Sequence, residues 1–186
     1  MEKLDVQIFN FSKIVVCQTT VNREKRLRHN GFMTRNKNVG NAGEFYVLAQ
    51  LAQRGYIAGK TDDGQTLIDV IATDEETLRS VNIQVKSTLS ENVLPSWIMS
   101  KKNEQVHEGL WYVFVKVKSD ESLPDFYIFH SSEIGNRIAR EHAAWLAIPK
   151  KNGEPRKDSN MRQFIPSAEE LEKHKGNWGK MFTEAR

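Results

Sequence analysis

The amino-acid sequence predicts an α/β (α+β) domain: a mixed central sheet of about four strands flanked by helices, with an N-terminal arm and a C-terminal hairpin plus short helix. Three observations predict it. A chain of 186 residues suffices for one domain with its own core and hardly for two. Hydrophobic residues make up 39% and charged residues 27%, a globular balance rather than a disordered one. The patterned segments come in the order amphipathic helix, several short apolar strands, second helix.

Residues 1–20 hold two apolar runs, Val6–Phe11 and Ile14–Cys17, which read as strands of an arm. In residues 22–38, Arg23, Lys25, Arg26, Arg28, Arg35 and Lys37 face the single acid Glu24, so the run is either a solvated face or a contact to a polyanion. A helix is expected over Asn41–Arg54. Asn41 and Glu44 form a capping-box pair, and Gly55 stops the helix. Phe45, Leu48 and Ala52 make one apolar stripe, and Glu44, Leu48 and Leu51 an overlapping one. Short strands follow at Tyr56–Gly59, Leu67–Ala72 and Val81–Lys86, separated by the turn Asp62-Asp63-Gly64 and the acidic connection Asp74–Leu78. Residues 88–108 read as irregular. Leu110–Val117 and Asp125–Phe129 are further strands, and Ser131 or Ser132 caps a helix running to about Glu141. Trp145–Ile148 and Met161–Ile165 read as a hairpin around a basic loop, and Ser167 with Glu170 opens a last short helix that Gly176 stops.

Composition excludes several classes of function. A single cysteine, Cys17, rules out an intramolecular disulfide and a cysteine metal cluster, and points to a reducing cytoplasm. The five histidines have no metal-ligand spacing, which argues against a zinc enzyme. No stretch has the length of a membrane span, so no membrane partner is expected. The formal net charge of +3 and a pI of about 8.9 fit a polyanionic partner without requiring one.

The informative residues are polar ones inside apolar strands. Asp69 is the one residue of Leu67–Ala72 that is not apolar. In Val81–Lys86 the residues Val81, Ile83 and Val85 share one face, so Gln84 and Lys86 point together to the other, about 6–7 Å apart along the strand. A charged group in a buried strand is costly unless it is paired or used. If the two strands are neighbours, a carboxylate, an amide oxygen and an ammonium converge, and the oxygens suit Mg²⁺ or Mn²⁺. The alternatives are that Gln84 and Lys86 form the solvent face of an edge strand, and that Glu44 is only a capping acid.

Glu44 in Gly40-Asn41-Ala42-Gly43-Glu44, Asp69 in its apolar strand and Gln84-Val85-Lys86 on the next together resemble the PD-(D/E)xK nuclease superfamily. That superfamily has a helix acid, a strand aspartate, then (Asp/Glu)-x-Lys on the following strand of a mixed core. The resemblance covers about residues 38–142. It implies a restriction endonuclease-like core there, with residues 1–37 a basic arm or extension and residues 143–186 a C-terminal extension of the same domain. It further implies a metal-dependent endonuclease hydrolysing phosphodiester bonds, with DNA as the expected substrate, in a restriction, repair or mobile-element setting. Asp69 is then the central ligand of Mg²⁺ or Mn²⁺. Gln84 and the main-chain carbonyl of Val85 complete the shell, Glu44 is an outer ligand, and Lys86 is the catalytic lysine. Position 84 departs from the usual Glu or Asp, although Gln-x-Lys occurs in some members, and the change removes one negative charge. The alternative is a nuclease-fold protein without turnover that binds nucleic acid or serves in assembly. Candidate substrate contacts are Ser87, Lys101, Lys102, Lys150, Lys151, Arg156 and Lys157. Cutting both strands of a duplex often needs two sites, so a homodimer is an expectation as well. His130 reads as structural, and Trp97, Trp111, Trp145 and Trp178 as core or interface rather than base-stacking residues.

Overall fold

A computed structural model describes residues 37–61, 67–120 and 122–183. The two arm strands, the basic run before Lys37 and the Asp62-Asp63-Gly64 turn lie outside the described residues. The chain divides into units Met1–Asn38 and Val39–Arg186, and the sheet, the cores and the site all belong to the second.

The first helix, α1, covers residues 37–53 of the described part. Asn41 therefore lies inside it, and Asn41 with Glu44 is not its capping box. Asparagine costs only about 0.7 kcal/mol against alanine inside a helix, so a cap-type residue does not by itself stop one. The buried stripe is Val47 and Leu51 with Leu48 beside them, while Phe45 is 61% exposed and Ala52 also faces outward. Gly55 ends the helix as expected, at φ 84°. Its N–H donates to Ala52 O at 3.0 Å and the Tyr56 N–H to Leu51 O at 3.1 Å, a Schellman closure.

Five strands follow in one mixed sheet: β1 (Ile57–Lys60), β2 (Val70–Thr73), β3 (Ser80–Leu89), and, after the short β4 (Trp97–Ser100), β5 (Leu110–Val117) and β6 (Asp125–His130). The spatial order is β1-β2-β3-β5-β6. The β3–β5 pair is parallel and the other neighbours are antiparallel. β2 begins at Val70 rather than Leu67, so Asp69 precedes the strand. β3 runs on to Leu89 because β5 pairs with it as far as Val117.

Alternation sorts the side chains to two faces. Val70, Ile83, Val85 and Val113 pack under α1 and a short C-terminal helix. Tyr112, Phe114 and Phe129 face β4 and the helix α2 (Ser131–Ala147). β4 and the 3₁₀ turn Lys101–Glu104 occupy the stretch expected to be irregular.

β4 pairs antiparallel with β7 (Met161–Phe164), so the strand at Met161 has Trp97–Ser100 as its partner and not Trp145–Ile148. Trp145 to Ala147 instead belong to α2. The Ala- and Leu-containing segment continues the helix until Pro149, whose ring disfavours helical backbone at Ile148. The cap of α2 is His130 rather than Ser131 or Ser132: its Nδ1 accepts from the Ser132 N–H, which leaves Nε2–H to donate to Glu108 O at 2.8 Å. Ser167 and Glu170 do form the capping box of α3 (Ala168–His174), and α4 (Lys180–Thr183) closes over the α1 face of the sheet. Trp97, Trp111 and Trp178 are core, whereas Trp145 is 43% exposed.

α1 approaches β3 closely at Gly43. A Cβ there would fall 1.8 Å from Ser87 Oγ and 2.9 Å from Ser87 Cβ, and the second atom has no freedom to move away. Gly43→Ala is therefore expected to destabilise the fold by about 2 kcal/mol, despite the roughly 1 kcal/mol that alanine gains in a helix. Ser87→Gly in the same chain removes both contacted atoms and should restore most of the loss. Denaturant melts of the three variants check this, and an unchanged single variant would refute the close approach.

Candidate metal and active site

The site forms where β2 leaves β3. The ladder between them runs from Thr73↔Ser80 to Val70↔Ile83 and stops there. The Asp69 N–H still donates to Ile83 O at 2.9 Å, and the Asp69 carbonyl accepts from the Thr61 N–H at 3.0 Å. Its side chain then continues the missing ladder. Asp69 Oδ2 accepts from the Val85 N–H at 2.8 Å, which fixes the carboxylate against the open edge of β3. Within an extended strand the N–H and C=O of one residue point to the same edge. The Val85 carbonyl therefore faces the Asp69 edge too.

Lys86 follows on the strand face of Gln84, and it is half-buried. Burial pushes its amine below the usual lysine range, while the negative charges of Asp69 and Glu44 pull it back up. Burial likewise pushes the Asp69 carboxyl above the usual aspartate range. The Val85 N–H and Lys86 oppose that rise, Glu44 adds to it, and Lys60 lowers it. Glu44, Asp69, Lys60 and Lys86 thus share one electrostatic neighbourhood, in which both central groups are drawn toward their neutral forms.

Glu44 reaches this neighbourhood from α1. Its Oε2 lies 2.9 Å from Lys60 Nζ, yet the same buried oxygen accepts no hydrogen bond. The Lys60 contact is a charge pair without hydrogen-bond alignment, and a lone pair of Glu44 remains for a further partner. Gln84 is only 5% exposed, and its Oε1 accepts from Asn103 Nδ2 at 2.6 Å.

Ser87 lies elsewhere. The strand continues past it, alternation turns it away from Gln84 and Lys86, and its hydroxyl is buried against α1 at Gly43 without a hydrogen-bond partner. It is thus a helix-packing residue and not a phosphate contact. The basic candidates stand outside the cluster: Lys101 pairs with Asp158 at 3.4 Å, Lys150 with Glu154 at 3.1 Å, and Arg156 lies over the Trp145 ring at 4.6 Å. Lys102, Lys151 and Lys157 are exposed. Two site residues escape sequence reasoning, Lys60 and Asn103. Lys60 ends a weakly patterned strand, and Asn103 sits in a stretch with no periodicity at all.

The donor chemistry fits a divalent metal. Asp69 and Glu44 offer carboxylate oxygens, one of them a buried atom without a hydrogen bond, and the Val85 carbonyl and Gln84 amide add neutral oxygens, a hard set suited to Mg²⁺ or Mn²⁺. Among the described residues no group of three or more His, Cys, Asp or Glu is arranged to hold a metal, so the neutral oxygens are essential to such a shell.

The molecule is thus an α+β domain: a five-stranded mixed sheet between helices, with a carboxylate–lysine cluster at the open edge of a central strand. Two solved structures are similar to it in fold. One is a bacterial homing endonuclease, with a TM-score of 0.49 and 10% identity over 78% of this chain and 89% of that one. The other is Hjc, a Holliday junction resolvase from the archaeal hyperthermophile Archaeoglobus fulgidus, with a TM-score of 0.37 and 12% identity over 66% and 87%. No protein-family model and no curated protein matches the chain. The likenesses concern the path of the backbone, and the residues of the site carry the functional reading.

Proposed function

We propose that this protein is a metal-dependent nuclease that hydrolyses phosphodiester bonds in DNA. The observation that carries this reading is the Asp69–Val85 hydrogen bond at the open edge of β3, which sets a carboxylate beside a main-chain carbonyl, with the half-buried Lys86 close enough to feel its charge. Asp69, the Val85 carbonyl, Gln84 and Glu44 would hold Mg²⁺ or Mn²⁺. An ion held by these residues would supply positive charge at a phosphate oxygen and would make a water more acidic. The remaining work belongs to the chain. Val85 N–H holds the Asp69 carboxylate in orientation, and Lys60 offsets the charge of Glu44. Lys86, its amine lowered by burial, takes up a proton or stabilises charge building on the phosphate.

Lys101, Lys102, Lys150, Lys151, Arg156 and Lys157 are the proposed contacts to the nucleic-acid backbone, and a homodimer would cut both strands. No helix of the described residues is long and apolar enough to cross a membrane. A cytoplasmic location remains our expectation from the single cysteine.

The second reading is a nuclease-fold module that binds nucleic acid or serves in assembly without turnover. The neutral ligand at position 84, already hydrogen-bonded to Asn103, favours it. Incubation with supercoiled plasmid separates the two. Nicked or linear product that requires Mg²⁺ or Mn²⁺ and disappears with EDTA is the expected result. Intact plasmid, single-stranded DNA and RNA in both ions would leave the second reading standing.

A further inference from the structure

The amide of Gln84 is asymmetric, with an oxygen that can bind a cation and an NH₂ that repels one, so its orientation decides whether it serves a metal site. We propose that Asn103 is the positioning residue that sets this orientation, an inference that rests on the metal-site reading above. Ser100 N–H donates to Asn103 Oδ1 at 2.8 Å, and a backbone N–H can only donate. The Ser100 hydroxyl meets the same oxygen at 3.0 Å. Asn103 Oδ1 is therefore the acceptor, and its Nδ2 is the donor. The Gln84 atom 2.6 Å from that Nδ2 must then be the carbonyl oxygen. Nδ2 also donates to the Tyr112 hydroxyl at 3.1 Å, so both of its hydrogens are used. Asn103 is 1% exposed, and water does not compete for these bonds. One backbone N–H at the end of β4 thus dictates, through the Asn103 side chain, that Gln84 holds its oxygen rather than rotating freely. An amide oxygen has a second lone pair, and under this proposal it goes to the cation.

A carboxylate at position 84 has two equivalent oxygens and no wrong way round. This gives a test that a purely structural role for Asn103 does not pass. Mn²⁺ affinity is measured on the full chain without substrate, by calorimetry or by the electron paramagnetic resonance of free Mn²⁺. Asn103→Ala is expected to weaken Mn²⁺ binding roughly 10–100-fold in the wild-type background. In the Gln84→Glu background, which is expected to bind at least as tightly as wild type, the same substitution should cost no more than about threefold, since nothing remains to be oriented. Equal losses in the two backgrounds overturn the positioning role while leaving the metal site in place. A wild type that binds no Mn²⁺ overturns the metal site and this inference with it.

Asn103→Asp covers the case in which the alanine variant does not fold. Aspartate keeps the acceptor for Ser100 but cannot donate to Gln84, so the Gln84 amide must turn its NH₂ toward it. The added negative charge would by itself tighten cation binding, whereas the positioning role predicts a loss of tenfold or more in a chain that circular dichroism shows to be folded. Unchanged or tighter binding overturns the proposal.

Discussion

Asp69→Asn is expected to abolish Mg²⁺-dependent cleavage and at the same time to make the fold more stable at neutral pH. The loss of activity follows from removing the one carboxylate fixed at the open edge of β3. Metal-assisted charge stabilisation is worth several kcal/mol, so the rate should fall on the order of 10³-fold or more. The gain in stability follows from burial. Burial is the largest influence on the Asp69 carboxyl and disfavours its charged form, even with the Val85 N–H and Lys86 beside it. An asparagine keeps an acceptor for the Val85 N–H and carries no charge. The sign is checked through pH. A carboxyl whose folded pKa lies above its unfolded one binds more protons in the native state, so its contribution is full below the ordinary aspartate value of 3.8 and is lost as pH rises through the raised value. In EDTA, the advantage of Asp69→Asn over wild type should therefore be absent at strongly acid pH, grow as pH rises through the raised value, and level off toward neutrality. An advantage that shrinks with rising pH would mean that the site stabilises the Asp69 anion and that burial is not the dominant influence on it.

Lys86→Ala is expected to lower cleavage by roughly 10²–10⁴-fold, the usual range for a lost acid–base group, while Mn²⁺ binding and folding persist. Lys86→Met should be inactive and no less stable than wild type, because it keeps the aliphatic stem and discards an ammonium that burial disfavours. Lys86→Arg separates the two possible tasks of the amine. Arginine keeps a positive charge but does not give up its proton at any working pH. Since burial draws Lys86 toward its neutral form, we expect arginine to be as inactive as alanine, which would assign proton transfer. Substantial rescue by arginine would assign charge stabilisation instead. Single-turnover rates with DNA, measured beside melting curves, distinguish these outcomes from a loss of fold.

Much of this site is legible in the sequence. The alternation in Val81–Lys86 puts Gln84 and Lys86 on one face, and the apolar setting of Asp69 marks it as a residue in need of a partner. The capping box at Ser167, the glycine stop at Gly55 and the strand Leu110–Val117 also lie within single windows of sequence. The failures have two physical sources. Short apolar segments carry an ambiguous period, so Trp145–Ile148 reads as a strand although helix propensity and Pro149 make it the end of α2. Local cap chemistry is weak, so Asn41 suggests a helix start although the helix runs through it.

The sequence by itself determined which residues alternate, which segments are helical or extended, and which polar groups a buried strand would have to accommodate, because each of these is a property of neighbours along the chain. Only the tertiary structure decided where β2 parts from β3 and lets the Asp69 carboxylate take up the Val85 N–H. It alone paired β4 with β7, set Lys60 against Glu44, and laid Ser87 under α1 instead of toward substrate. It also placed Asn103, from a stretch with no pattern, on the amide of Gln84. These contacts join distant segments, and they depend on strand register and loop closure, neither of which a local pattern of apolar and polar residues can encode.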